Sequence, residues 1–382
     1  MKIAIITFFD NGNYGSELQT LAMNDYLNAK GHVTVFCKVK SSNKIIRAIE
    51  LLYDKVLLKW YKITDKEKRQ YLTDRAKNLS SQRNIPPKLR QYIHSFVNSH
   101  ISFGCISRLL LFRKERFDAY ICGSDQIWNP NWARRRCFLE FVPDEINKVI
   151  YAASLGCESM SKEQKAQFEP RIERLQYVSV REQSGKAILD SFIKDKDIKV
   201  VLDPTLLLLP EDWNNIVVDP KEKGYVFTYF LGKYDDKIEY INEFAKRKGL
   251  KIINIPFASG EKNDDVCFGD LQIKDADPGE FIGLIKNAEY IFTDSFHACV
   301  FSVLFKKEFY AFQRDNSKRM QGRINTLLHN FNLPDRFIEV GIDLDMVSSI
   351  DYQNNDMIQE SLRKDSLAFL LESINDESNL VK

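Results

Sequence analysis

A single histidine stands out in the segment Thr293–His297, where a carboxylate and a hydroxyl precede it. The apolar run Tyr290–Phe292 predicts a buried strand, and the apolar residues after His297 predict a helix. A helix that begins where a parallel strand ends offers free N–H groups and a positive dipole end to an anion. The segment therefore predicts an anion site with the ionisable imidazole of His297 inside it, and His297 and Asp294 are the candidate catalytic residues, with Ser295 as a candidate substrate contact. A purely structural histidine at a helix start is the alternative.

Cationic side chains follow other predicted strands. Arg181 comes directly after one strand, and Lys318, Arg319 and Arg323 lie on a polar turn beyond the histidine helix. Clustered cations of this kind suit a small dianion or trianion. Two alternatives stay open: Arg181 pairs with the adjacent Glu182, and Lys318 and Arg319 belong to a solvated loop.

Further polar and glycine positions follow the first, third and fourth predicted strands. Hydroxyl, amide and carboxylate side chains at strand ends are suited to hydrogen-bonding a polyol. The candidates for binding an acceptor are Asn13, Tyr14, Gly15, Asp125, Gln126, Asn129 and Ser154. For the turn with Gly15, the alternative is that its glycines only close a tight turn.

Several familiar kinds of site are excluded by their absent motifs. The sequence has no P-loop, no HExxH zinc motif and no GxSxG elbow, and its opening turn is not GxGxxG. Its seven cysteines form no CxxC pair, which argues against a zinc site or a disulfide framework. We therefore expect no metal.

The order of predicted elements indicates an α/β protein made of two Rossmann-like domains that face each other across a cleft. The first domain is expected at residues 1–210, with a basic, mostly helical insertion at about 40–116. The second is expected at residues 221–345, and a C-terminal helical segment at 346–382. This last segment either crosses back to the first domain or packs where it starts.

Charge is unevenly distributed along the 382 residues. Residues 38–116 hold 19 Lys/Arg against 6 Asp/Glu, whereas the whole chain has a net charge of +2. The basic insertion either contacts the inner face of a membrane beside a lipid-linked substrate, or forms a helical hairpin on its own domain. The beginning of the chain predicts a strand and not a signal peptide, and the unpaired cysteines suit a reducing compartment. We expect a cytoplasmic protein, peripheral on the membrane in the first case, that does not bind nucleic acid.

Six motifs together resemble the polysaccharide pyruvyl transferase family. They occur in the family's order and are NYGSELQTLAM (13–23), ICGSDQIWNP (121–130), YAASLG (151–156), SVRE (179–182), VLDPTLLL (201–208) and TDSFHACVFSVLFKKEFYAF (293–312). The resemblance implies a GT-B-like fold and transfer of pyruvate from phosphoenolpyruvate to sugar hydroxyls. The product is a cyclic ketal on a surface polysaccharide, such as an exopolysaccharide of the cell envelope, or on its precursor, and no cofactor is required.

The resemblance also implies roles for particular residues. His297 is expected to be the acid or base, and Arg181 to hold the carboxylate or phosphate of phosphoenolpyruvate. Many family members carry Arg two residues before the motif histidine, where this sequence has Ser295. Lys318, Arg319 or Arg323 is then expected to compensate.

Two other functions remain as alternatives. A glycosyltransferase of the same architecture would use a nucleotide sugar and would need an acidic residue for the ribose and a pocket for the base. A protein without enzymatic activity would bind a glycan or a membrane as a scaffold.

Overall fold

The computed structural model describes residues 1–9, 12–40, 91, 95–96, 99–107, 117–131, 133, 135–256, 268–314 and 321–375. Most of the predicted basic insertion lies outside these ranges, as do Lys318 and Arg319. Within the described ranges the longer helices are α1 (Tyr14–Ala29), α2 (Lys162–Glu173), α3 (Gln183–Asp190), α4 (Ile238–Lys248), α5 (Pro278–Asn287), α6 (Phe296–Leu304), α7 (Gln321–Asn330) and α8 (Tyr352–Ile374). None of these helices is both long enough and apolar enough to cross a membrane.

The first half of the chain builds a seven-stranded parallel sheet. Its strands are β1 (Lys2–Ile6), β2 (Val33–Lys40), β3 (Phe103–Ser107), β4 (Ala119–Cys122), β5 (Asn147–Ala153), β6 (Tyr177–Val180) and β7 (Lys199–Val200). They are arranged in the order β3-β2-β1-β4-β5-β6-β7. The central strands β4 and β5 are buried throughout, as expected for a sheet with helices on both faces.

Strand β3 corrects one part of the sequence analysis, because it lies inside the segment that was predicted to be mostly helical. Its residues pair in parallel with β2, from Phe36 opposite Phe103 to Lys40 opposite Ser107. Backbone pairing along the edge of an existing sheet depends on a distant partner strand. The basic composition around β3 does not contain that information.

The second half builds a six-stranded parallel sheet in the order β10-β9-β8-β11-β12-β13. Its strands are β8 (Tyr225–Tyr229), β9 (Lys251–Ile255), β10 (Leu271–Gln272), β11 (Tyr290–Thr293), β12 (Glu308–Phe312) and β13 (Phe337–Ile338). The predicted strand–turn–helix–strand unit around His297 is confirmed as β11, α6 and β12. The protein therefore has two Rossmann-like domains, as the sequence indicated.

Helix α8 connects the two sheets. Near its start, the Tyr352 hydroxyl donates to the Lys307 backbone carbonyl of the second domain at 2.5 Å. Further along, the Ser366 hydroxyl accepts from the Leu202 N–H of the first domain at 2.9 Å. Near its end, the Ser373 carbonyl accepts from the Asn147 side chain. Of the two placements left open for this segment, the structure has the one that crosses back.

Tyr14 closes the contact between the two domains. Its hydroxyl donates to the Ala276 carbonyl at 2.8 Å, and its ring stacks on Phe281 with 4.4 Å between ring centroids. Both rings belong to one buried apolar cluster with members from both sheets. The two domains therefore share a core beside the ends of β1 and β11.

Candidate active site between the two domains

His297 lies in the first turn of α6, two residues after its N-cap Ser295. The Ser295 hydroxyl accepts a hydrogen bond from the Ala298 N–H at 3.4 Å, and the Ser295 N–H donates to the Thr293 hydroxyl at 3.0 Å. The cap fixes where the helix starts and therefore where the imidazole points. His297 is 7% exposed, so it lies in a nearly closed site at the positive end of the helix dipole.

The first turn of α1 lies against the His297 ring, on the side of Nδ1. A Cβ placed on Gly15 would stand 1.9 Å from His297 Nδ1, where no side chain fits. Asn13 caps α1, since its Oδ1 accepts from the N–H groups of Gly15 at 3.0 Å and Ser16 at 3.3 Å. The N-termini of two helices, one from each domain, thus converge on His297.

A buried carboxylate faces His297 from the first domain. Asp203 Oδ2 lies 3.6 Å from His297 Nε2, an ion-pair distance that is longer than a hydrogen bond. The same oxygen accepts from Arg181 Nη1 at 2.6 Å and from the Ser124 hydroxyl at 3.1 Å, and Oδ1 accepts from the Thr205 hydroxyl at 2.8 Å. Burial by itself would raise the pKa of Asp203, but the charges of His297 and Arg181 outweigh it and hold that pKa well below its usual range. Asp203 is therefore an anion at neutral pH.

Arg181 is held by two carboxylates of its own domain. Besides Asp203, its Nη2 lies 3.5 Å from Asp125 Oδ1. The plane of the guanidinium covers the ring of Phe296, with 4.4 Å from Cζ to the ring centroid. Because both terminal nitrogens already face carboxylates, Arg181 brings little uncompensated positive charge to the site.

Asp125 extends this network to α1. Its Oδ2 accepts from the Ser16 hydroxyl at 2.7 Å. Burial by itself would raise the pKa of Asp125, but Arg181 and the hydrogen bond from Ser16 contribute to holding it below its usual value. Asp125 is therefore ionised, and it ties the N-terminus of α1 to Arg181.

Arg323, in the first turn of α7, is a second buried guanidinium. Its Cζ lies 5.8 Å from the Phe296 ring centroid, on a ring that Arg181 also contacts. With the Gln126 amide turned so that its oxygen faces Arg323, that oxygen accepts from Nη1 at 3.1 Å and Nη2 at 2.7 Å. Burial, followed by the neighbouring charge of Arg181, lowers the pKa of Arg323 to about 9. The group is thus a buried cation whose described partner is a neutral amide.

The sequence matches the family model for polysaccharide pyruvyl transferase over residues 13–316. The chain belongs to this family. The match covers most of the chain and includes Asp125, Arg181, Asp203 and His297. Arg323 lies beyond the matched segment.

Solved structures resemble this pyruvyl transferase family member only distantly. UDP-N-acetylglucosamine 2-epimerase from Rickettsia bellii has 11% identity and a TM-score of 0.46, over 100% of this chain and 99% of the other. UDP-GlcNAc 2-epimerase from Neisseria meningitidis, bound to UDP-GlcNAc, has 12% identity and a TM-score of 0.46, over 97% and 100%. The Methanocaldococcus jannaschii enzyme has 14% identity and a TM-score of 0.44, over 94% and 92%. A comparison with curated proteins gave no significant match.

Four of the predicted site residues use their polar groups in hydrogen bonds within the protein. They are Asp294, Tyr14, Asn129 and Ser154. The Asp294 carboxylate accepts from the N–H groups of Leu231 at 2.6 Å and Gly232 at 2.8 Å, so it holds the loop after β8. Tyr14 is used between the domains, as described above. The predicted roles, catalytic for Asp294 and acceptor-binding for Tyr14, remain predictions.

Asn129 and Ser154 likewise serve one loop, the one that follows β5. The Asn129 amide donates to the Gly156 carbonyl at 3.4 Å, and the Ser154 hydroxyl donates to Glu182 Oε1 at 3.0 Å. The same Glu182 oxygen accepts from the Leu155 N–H at 2.7 Å. Both side chains are thus used for shaping the rim of the site, and their predicted contact with substrate remains a prediction.

Asp203 is a residue of the site that was not among the predicted ones. A signal was available, because Asp203-Pro204-Thr205 follows the end of a strand, as the chosen polar residues do. An aspartate before proline also begins many turns, and Asp203 does cap the short 3-10 turn Pro204–Leu206 through its bond to the Thr205 N–H. Its contact with His297 arises only when the two domains meet.

The described residues contain no group of three or more His, Cys, Asp or Glu side chains placed to hold a metal ion. The carboxylates of the site are already occupied by Arg181, Ser16 and Thr205. What the arrangement offers is proton transfer at His297, beside helix N-termini and guanidinium groups.

Proposed function

We propose that this protein transfers pyruvate from phosphoenolpyruvate to two hydroxyls of one sugar, forming a cyclic ketal and releasing phosphate. The acceptor is a sugar of a surface polysaccharide or of its lipid-linked precursor. Membership of the polysaccharide pyruvyl transferase family supports the reaction class. The observation that carries the proposal is His297, held between two helix N-termini and facing the ionised Asp203.

The proposed chemistry needs a proton donor that also serves as an acceptor. A proton added to the methylene carbon of phosphoenolpyruvate makes a methyl group and leaves an oxocarbenium-like centre at C2. One sugar hydroxyl adds to C2, phosphate leaves with the C–O bond electrons, and a second hydroxyl closes the ring. The two hydroxyl protons balance the proton on the methyl group and the one taken up by phosphate. None of these steps requires a metal or a redox cofactor.

His297 is assigned the proton transfer. Asp203 Oδ2 faces Nε2 at 3.6 Å, and the N-termini of α1 and α6 meet at the ring. A positioned imidazole of this kind is the commonest group for giving and taking a proton in catalysis. The donor's two anionic groups would be stabilised by the same helix N-termini and by the guanidinium groups.

The proposed function also implies where in the cell the protein acts. We propose that the lipid-linked acceptor lies at the inner face of the membrane. We therefore assign the protein to the cytoplasm, with the basic segment 40–116 directed at the anionic lipid surface. Loss of binding to anionic vesicles when the lysines and arginines of residues 40–90 are replaced by glutamine would be the corresponding observation.

The test is phosphate release from phosphoenolpyruvate by purified His297→Ala, with a panel of oligosaccharide acceptors that carry neighbouring free hydroxyls. We expect kcat to fall at least about 100-fold, because general acid–base catalysis contributes factors of this size. His329→Ala is the matched control, since His329 is exposed at the end of α7. Turnover of His297→Ala near that of the control would remove the histidine from the mechanism. Thermal stabilisation by UDP- or GDP-sugars but not by phosphoenolpyruvate would favour a nucleotide-sugar glycosyltransferase instead.

A further inference from the structure

Positive charge in the site is distributed unequally between its two buried guanidiniums. Arg181 faces Asp203 at 2.6 Å and Asp125 at 3.5 Å. Arg323 takes part in no ion pair of the described residues, and both of its terminal nitrogens share one amide oxygen of Gln126. Of these two guanidiniums, Arg323 is therefore the one that no carboxylate of the described residues contacts at ion-pair distance.

A positive charge without a contacting carboxylate is energetically costly in the surroundings of Arg323. The residue is 7% exposed, and its Nε is buried without a described hydrogen-bond partner. Its pKa is lowered to about 9 by burial and by the neighbouring charge of Arg181, so the positive charge is less stable here than in water. An anion bound here would offset this cost, because it would place an opposite charge in direct contact with the guanidinium, whereas the carboxylates of Asp125 and Glu182 act on it only from beyond ion-pair distance.

The shape of the guanidinium indicates which kind of anion would fit it. Arg323 presents a planar group whose two terminal nitrogens lie side by side, and this fork matches the two oxygens of a carboxylate. Helix N-termini are suited to binding a phosphate, and those of α1 and α6 meet at His297 in the same site. Phe296 lies between these positions, since its ring contacts Arg323 and it is the first residue of α6.

We infer that Arg323 is the receptor for the carboxylate of the donor, and that the donor's phosphate lies at the convergent N-termini of α1 and α6. On binding, the carboxylate replaces the Gln126 oxygen on the two terminal nitrogens of Arg323. This inference rests on the proposed function for its choice of ligand. It adds a role for a residue outside the segment that matches the family model.

The test uses two unreactive analogues of the donor and the intact protein. Phospholactate carries both the carboxylate and the phosphate, whereas isopropyl phosphate has the same skeleton without the carboxylate. By isothermal titration calorimetry, wild type should bind phospholactate about 10- to 100-fold more tightly, the range for hydrogen bonds to a charged group. In Arg323→Gln this preference should fall to about one, with isopropyl phosphate bound nearly as before. Arg247→Gln, at an exposed arginine of α4, should keep the full preference.

Arg323→Lys provides a second measurement if the glutamine variant does not fold, as judged by circular dichroism. It retains the charge but not the planar fork, so its preference for phospholactate should also fall. A preference that survives in both variants would overturn the inference. Equal weakening of the two analogues would overturn it as well, because Arg323 would then hold the phosphate. If the expected binding pattern appears but no acceptor supports phosphate release, the proposed function fails while the role of Arg323 in carboxylate binding stands.

Discussion

A substitution at Gly15 would displace the imidazole of His297, the proposed proton-transfer group, without replacing His297 itself. In Gly15→Ala the new Cβ would stand 1.9 Å from His297 Nδ1, whereas ordinary contacts begin at 3.4 Å. The imidazole or the first turn of α1 must therefore yield by about 1.5 Å in total, the gap between these two distances. A displacement of about 1 Å in a catalytic group can cost 100-fold in rate, and two factors of ten correspond to about 2.7 kcal/mol. We expect kcat to fall by about 100-fold.

The assay is steady-state phosphate release, with a second measurement in the His297→Ala background. There the clash is absent, so adding Gly15→Ala should leave the residual rate unchanged. Gly31→Ala is the control, because Gly31 has a φ of 81° in an open turn and its substitution strains the backbone far from the site. A kcat for Gly15→Ala within twofold of wild type, or an equal loss with and without His297, would refute the reasoning.

Two further predictions concern buried polar contacts. Asp203→Asn should lower kcat by about 10- to 100-fold, because a charged partner of His297 becomes neutral. Because the pKa of Asp203 is held below its usual value, the ion stabilises the fold above about pH 4 and this stability is lost as the pH falls further. Urea unfolding should therefore show a weaker acid dependence in Asp203→Asn than in wild type, and identical acid dependences would contradict this assignment. Ser366→Ala should lower the free energy of unfolding by about 1–3 kcal/mol, because the Leu202 N–H loses its hydrogen-bond partner. The control is Ser361→Ala, at an exposed position of the same helix, which should lower it by less than about 0.5 kcal/mol. Equal effects of the two substitutions would exclude this explanation.

Local elements were predictable because local residues determine them. Helix α5 begins where local residues direct it, since Asp277 and Glu280 form a capping box around Pro278 at its start. The same holds for α6, whose start is fixed by the Ser295 cap. Placing His297 at a helix N-terminus between two apolar strands required only short-range patterns.

Contacts between distant segments were not predictable in this way. The sequence shows Asp203 only as a turn residue, because its ion pair with His297 depends on how the two domains meet. Arg323 was one of three cations on a polar turn, and the turn gives no sign that this one is buried against Phe296. Strand β3 was missed for the same reason, since its partner strand lies beyond the basic insertion.

Helix α8 has a consequence for the order of events during synthesis. The N–H of Leu202 in the first domain finds its partner in Ser366, 164 positions later, and Asn147 is bonded to Ser373, 226 positions later. Tyr151 and Tyr177, which belong to β5 and β6, pack against Phe369 of the same helix. The chain is synthesised from its N-terminus, so the first domain leaves the ribosome before α8 does. The face of its sheet that α8 covers is then still exposed. Its core is completed only after the whole second domain and α8 have left the ribosome.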